Sequence, residues 1–198
     1  MVRNTYFQSI EAFKDKQVIK VLTGIRRCGK SVLMEQFMQS LLERGVSERQ
    51  ITYIRLDDLD NELLLEYHNL YAFIKSALLE DRMNYVFIDE VQLCKDFQKP
   101  VETLFNYKNV DLYLTGSNAD LLSGELATLL SGRYVTIDML PFSFCEYLEC
   151  IKENNFPAQT TEENYYEYVK FGSMPFTVQL KKNTESVYQY LNGVYNTI

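Results

Sequence analysis

Four residues at fixed spacing, Gly24, Gly29, Lys30 and Ser31, match the pattern G-x-x-x-x-G-K-[ST]. Residues of these types at this spacing can hold a phosphate. The glycines let the backbone wrap an anion so that successive N–H groups point inward, and a helix beginning there presents its positive dipole end. Lys30 would reach the β and γ phosphates, and the Ser31 hydroxyl would hold Mg²⁺. Ile25, Arg26, Arg27, Cys28 and Val32 complete the loop that would surround the nucleotide. A glycine turn with a solvated lysine has the same letters, so the flanking context must separate the two readings.

A second pair of residues supplies that context. Tyr85 to Ile88 is an apolar run that delivers Asp89 and Glu90 at its C-terminal end, about 60 residues after the loop. In α/β sheets ligands bind at that edge. Asp89 fits the carboxylate that joins the serine hydroxyl at Mg²⁺, and Glu90 is placed to polarise an attacking water. Farther on, Val110 to Thr115 ends in Gly116, Ser117 and Asn118, small polar side chains suited to sensing a γ-phosphate. The same two side chains could cap a helix ahead of Leu121, Leu122 and Leu126, and one residue can do both. Arg133 stands just before a further strand, where it could contact phosphates of its own or a neighbouring subunit, or pair with a local carboxylate.

These residues need strands and helices to place them. Val18, Ile19, Val21 and Leu22 form a β-branched run that ends at Gly24, and Ser31 opens a segment with Val32, Leu33, Phe37, Leu41 and Leu42 at helical spacing, stopped by Gly45. Further strands are expected at Ile51 to Leu56 and Tyr134 to Met139. Leu70, Phe73, Ile74, Ala77 and Leu78 share one helical face, and Phe97, Val101, Leu104 and Phe105 another. Residues 4 to 16 form an amphipathic lead-in whose Tyr6 or Phe13 could meet a base or pack under the sheet. From Pro141 the strand signal disappears, and aromatics such as Phe142, Phe144, Tyr147 and Tyr168 suit the core of a helical lid. Strands alternating with helices predict a mostly parallel five-stranded α/β sheet. The expected division is an ATPase domain over 1–140 and a helical lid, or the start of a truncated second domain, over 141–198.

Composition narrows the function classes. The 198 residues are 46% hydrophobic and 24% charged, an ordinary folded composition able to bury a core. A net charge of −7 gives no general attraction to nucleic acid or anionic membranes, and Arg26–Arg27 and Lys181–Lys182 form no longer basic run. Nucleic acid is therefore not an expected partner of this stretch. The four cysteines lack C-x-x-C spacing and the single histidine, His68, cannot complete a zinc set, so they read as reduced thiols in a cytoplasmic protein. Cys28 could be a reactive thiol beside basic neighbours, or simply a small tolerated side chain. The acidic cluster Asp57, Asp58, Asp60 and Glu62 reads as a solvated loop. No signal-peptide plan and no apolar run long enough for a membrane span are visible.

The stretches GIRRCGKS, FIDEVQ, LTGSNADLLSGELATLLSGR and LPFSFCEYL together resemble prokaryotic AAA-superfamily ATPases that carry a C-terminal restriction-endonuclease-like domain. That resemblance implies a P-loop NTPase three-layer sandwich with strand order 5-1-4-3-2, followed by a helical segment. It implies ATP and Mg²⁺ as ligands, hydrolysis coupled to a conformational output, and a protein partner or further copies of the chain. Residue by residue, it makes Gly24, Gly29, Lys30 and Ser31 the phosphate loop, Asp89 and Glu90 the acidic pair, Ser117 or Asn118 the sensor, and Arg133 a phosphate-contacting arginine. Gln92 also matches the acidic-strand motif. Two rivals share the loop: an interaction module that binds ATP without appreciable hydrolysis, and a small-molecule kinase. The kinase would need clustered lid arginines, which the C-terminal part does not offer.

Overall fold

The computed structural model describes residues 2–116, 130, 132–154, 156–180 and 183–195. Five strands, β1 (Ile19–Gly24), β2 (Ile51–Arg55), β3 (Asn84–Asp89), β4 (Val110–Thr115) and β5 (Tyr134–Met139), form one sheet in the order β2-β3-β4-β1-β5. All are parallel. For β1 and β5 the direction follows from their ends: Ile19 N–H donates to the Arg133 carbonyl at 2.8 Å, and Gly24 lies against Met139. The order is the expected one, and the sheet is wholly rather than mostly parallel.

Burial explains the sequence pattern. Every residue of β1, β3 and β4 is buried, as in a parallel sheet covered on both faces, which is why these strands read as largely apolar runs, broken within β1 and β4 by the paired Lys20 and Asp111. The two-residue period then sorts the side chains. Ile19, Val21, Val86, Ile88, Leu112 and Leu114 join one core with Leu70 and Ile74 of α3 (Tyr67–Ala77) and Val101 and Leu104 of α4 (Gln98–Phe105). The alternate positions carry an aromatic layer: Phe87 and Tyr113 stack at 4.5 Å, and Phe37 of α2 (Lys30–Glu43) lies 5.3 Å from Tyr113. Phe7 of α1 (Asn4–Ala12) meets Phe37 edge-on at 5.6 Å, so the lead-in packs beneath the sheet. Among the described residues, two helices cover each face and complete the three layers.

The chain forms two compact units: one contains Asn4–Thr23 and Lys30–Asp138, the other Met1–Arg3, Gly24–Gly29 and Met139–Ile198. The second unit thus includes six loop residues that are distant in sequence from its helices. Those helices are α5 (Phe144–Glu153), α6 (Thr161–Phe171), α7 (Pro175–Gln179) and α8 (Thr184–Tyr195). Capping boxes start α5 and α6. Ser143 accepts from the Glu146 N–H while Glu146 accepts from the Ser143 N–H, and Thr160 and Glu163 repeat the arrangement. Phe142, Tyr147, Cys150 and Val178 make the small core, and the Tyr168 hydroxyl donates to the Phe142 carbonyl at 2.8 Å.

A buried ion pair braces the N-terminal edge of the sheet. Lys20 and Asp111 pair with no more than 1% of either side chain exposed, and Asp111 also accepts from the Tyr113 hydroxyl at 2.7 Å and the Asp15 N–H at 2.9 Å. Tyr85 donates to Asp15 at 2.8 Å, and burial, reinforced by that carboxylate, pushes its phenol up to about 12.

Candidate functional site

Because the strands are parallel, Gly24, Asp89 and Thr115 all lie at one edge of the sheet. Register puts Thr115 beside Leu22 and Leu114 beside Ile88, so Asp89, Thr115 and Leu22 form one row across β3, β4 and β1. Gly24 ends β1 two residues beyond that row, and α2 begins at Lys30. Asp89 shares its side of β3 with Phe87, the side against which α2 packs its Phe37 at 6.4 Å. Lys30 and Ser31 occupy the first turn of that same helix.

Hydrogen bonds hold the acidic pair. Asp89 is 2% exposed, and its Oδ1 accepts from the Thr115 hydroxyl while its Oδ2 accepts from the Tyr53 hydroxyl at 3.3 Å. Burial and the neighbouring Asp89 carboxylate raise the Tyr53 phenol above its ordinary range, so it remains a donor. Thr115 Oγ1 also accepts from the Glu90 N–H at 3.0 Å, joining both acids to the tip of β4. Glu90 has φ 55° and ψ 48°, a left-handed conformation uncommon for a residue other than glycine. Its Oε2 accepts from Gln92 Nε2 at 2.6 Å, which gives Gln92 a definite role in orienting that carboxylate.

Two glycines of the loop take positive φ. Gly24 has φ +141°, and a Cβ there would run into the Met139 carbonyl; Gly29 has φ +104° and nothing within 4 Å of where its Cβ would be. Arg27 also takes a positive φ, 66°, and its guanidinium lies 5.3 Å from the ring centroid of Tyr190 on α8. Ile25, Arg26 and Val32 are exposed, Gly29 and Ser31 half-buried, and Lys30 buried. An open, left-handed glycine followed by a helix carrying lysine and serine fits a phosphate, and a buried aspartate on the face of that helix fits a hard cation with the Ser31 oxygen.

Other expectations changed. Cys28 is fully buried, so the alkylatable thiol gives way to packing, since reactivity requires access. Arg133 stands before β5, where its carbonyl accepts from the Ile19 N–H at the start of β1. It pairs with Glu102 at 2.8 Å, the local-carboxylate alternative. Ser117 and Asn118 lie outside the described residues. Of the acidic cluster, Asp58 caps a short turn by accepting from Asp60 N–H, and Asp57 pairs with Arg55 at 3.2 Å. Among the described residues no group of three or more His, Cys, Asp or Glu could hold a metal, and no helix is long and apolar enough to cross a membrane.

Tyr53 and Thr115 were not singled out from sequence. Thr115 had a usable signal: once strand order is assumed, it is the last residue of the strand beside Asp89.

The fold is that of the P-loop nucleoside triphosphatases. Residues 16–148 match the AAA domain family, and the chain belongs to it. It is 36% identical over 197 residues to a protein of Haemophilus influenzae, covering 99% of this chain and 48% of that one. A protein of Methanocaldococcus jannaschii is 30% identical over 191 residues, covering 89% and 41%. The chain therefore spans less than half the length of these curated relatives. Among solved structures, AMPPCP-bound DnaA from Aquifex aeolicus is similar with TM-score 0.62 at 17% identity, covering 95% of this chain and 63% of that one. A Walker-type ATPase of Pyrococcus abyssi gives TM-score 0.60 at 19% identity, covering 98% and 73%. At these identities the structural likenesses speak to fold.

Proposed function

We infer that this chain is an ATP-hydrolysing AAA-type switch, in which bound nucleotide sets the conformation presented to a protein partner or another copy of the chain. The observation that carries this reading is the row at the sheet edge. Asp89 is anchored by Thr115 and Tyr53 on the side of the sheet that α2 covers with Lys30 and Ser31 at its start, and Glu90 follows directly, its N–H held by the same Thr115 oxygen. The AMPPCP bound to the similar DnaA supports a nucleotide as ligand.

In this mechanism backbone N–H groups of the loop, that of Gly29 among them, and the Lys30 ammonium would bind the phosphates and neutralise charge as it builds on the γ-phosphoryl oxygens. Ser31 Oγ and one Asp89 oxygen would hold Mg²⁺, which as a bound cation polarises the phosphoryl group. Thr115 and Tyr53 keep the Asp89 carboxylate aimed. Glu90 orients the attacking water and draws on its proton, and Gln92 sets which way that carboxylate faces. Arg133 would act on a neighbouring subunit only by leaving Glu102, and turnover of the isolated chain is expected to be slow. The resemblance further implies a restriction-endonuclease-like domain C-terminal to this one, and the greater length of the relatives leaves room for it. Reduced cysteines suit a cytoplasmic setting, consistent with four thiols.

The 2.6 Å bond from Gln92 to Glu90 favours one alternative, binding without appreciable hydrolysis while Glu90 is engaged. Titration with a non-hydrolysable ATP analogue, with and without Mg²⁺, tests the binding common to both. Wild type should bind with a Mg²⁺-dependent gain that Ser31→Ala loses, and Lys30→Ala should bind at least tenfold more weakly. Absence of binding by wild type contradicts both readings.

A further inference from the structure

Arg3 is a buried cation whose five guanidinium hydrogen bonds run to residues of the second unit. Its guanidinium is 6% exposed, and each of its five N–H groups has an acceptor. Nε and Nη2 donate to the two oxygens of Glu146 at 2.7 and 2.9 Å; Nη1 donates to the carbonyls of Leu140 at 2.7 Å and Cys28 at 3.1 Å; Nη2 also reaches the Pro141 carbonyl at 3.2 Å. The ring of Phe142 lies 5.3 Å from the guanidinium carbon. Glu146 is itself fixed, because it accepts from the Ser143 N–H at 2.8 Å and the Ser143 hydroxyl at 3.0 Å in the capping box of α5.

The Cys28 carbonyl is the contact with consequences. A trans peptide points its C=O and N–H in opposite directions, so holding the Cys28 oxygen on the guanidinium aims the Gly29 N–H away from it. Gly29, at φ +104°, has open space where a side chain would be. That N–H is among those that would donate to phosphate, and its peptide would otherwise be free to rotate beside a glycine.

We propose that Arg3 is a positioning residue for nucleotide binding: it locks the Cys28–Gly29 peptide so that the Gly29 N–H faces the phosphates, using Glu146 as its own fixed anchor. The proposal rests on the nucleotide-binding reading above. Lysine cannot replace Arg3, because three donors on a point charge cannot serve a bidentate carboxylate and three carbonyls together.

The test is calorimetric titration of a non-hydrolysable ATP analogue into wild type, Arg3→Ala, Arg3→Lys and Glu146→Gln, reading affinity and site number separately. A merely structural role lowers the number of competent sites and leaves the affinity of those remaining unchanged. The positioning role predicts full site number with Kd raised about tenfold in Arg3→Ala and in Arg3→Lys, and about threefold in Glu146→Gln, where the guanidinium keeps its carbonyl partners. If Arg3→Ala does not fold, Arg3→Lys and Glu146→Gln carry the comparison. Wild-type Kd in the variants that fold overturns the positioning role alone. Failure of wild type to bind overturns the nucleotide reading and this inference with it.

Discussion

The hydroxyl of Thr115 donates to the carboxylate of Asp89, and the same oxygen accepts from the N–H of the next residue in the chain, Glu90. One side chain at the end of β4 therefore holds both acids at the end of β3. Thr115→Val keeps the shape and removes both bonds. A hydrogen bond to a charged group contributes about 1.5–3 kcal/mol, so phosphate release should slow roughly 10- to 100-fold. Affinity for nucleotide without Mg²⁺ should stay near wild type. Unchanged turnover in the valine variant would show that Asp89 needs no such anchor.

Gly24 and Gly29 both take positive φ, but for different surroundings. Alanine at Gly24 meets the Met139 carbonyl as well as backbone strain, whereas alanine at Gly29 meets strain alone. Strain of this kind costs about 1–3 kcal/mol. Gly24→Ala is expected to lower the melting temperature by several degrees, and more than Gly29→Ala does. Gly29→Ala should instead act mainly on ATP-analogue affinity, by filling the open side of the loop. Thermal melts paired with titrations separate the two, and equal melting losses would contradict the difference in contacts.

The Lys20–Asp111 pair is almost wholly buried. Lys20→Met leaves a carboxylate without its cation and should cost about 3–5 kcal/mol of unfolding free energy. Adding Asp111→Leu to the same chain should recover most of that loss, since the double change removes the orphaned charge. Urea unfolding of both variants measures this, and additive losses would rule out coupling between the two groups.

Burial works against ionising Glu146, but the Arg3 guanidinium and the Ser143 N–H together hold its carboxyl below the usual glutamate range. A depressed carboxyl stabilises the fold above the unfolded pKa of about 4.3, and that contribution is lost as pH falls through the lower folded value. Stability should therefore drop on acidification below about pH 4.5, and the drop should be shallower in Glu146→Gln. Denaturant midpoints at pH 7, 5, 4 and 3 test the slope.

Much of the fold was legible because the sheet is parallel and covered on both faces. β4 and β5 fall on Val110–Thr115 and Tyr134–Met139 as expected, since short runs rich in β-branched and aromatic residues have no competing helical period, whether fully buried as in β4 or alternating as in β5. The capping box Ser143-x-x-Glu146 was present in the letters as a helix start. Arg133 pairs with Glu102, one of the readings its position before β5 left open. Arg3 was not legible at all, because its partner Glu146 is 143 positions away and no local pattern joins them. Nor could spacing foresee that Tyr53 and Thr115 share Asp89, which depends on lateral register between strands.

The central claim is that the loop and the acidic pair form one hydrolytic site, and steady-state phosphate release with saturating ATP and Mg²⁺ tests it most directly. Wild type should release phosphate above background, Lys30→Ala should fall to background through lost binding, and Glu90→Gln should fall 10²-fold or more while still binding ATP. Equal rates in all three proteins would contradict the account.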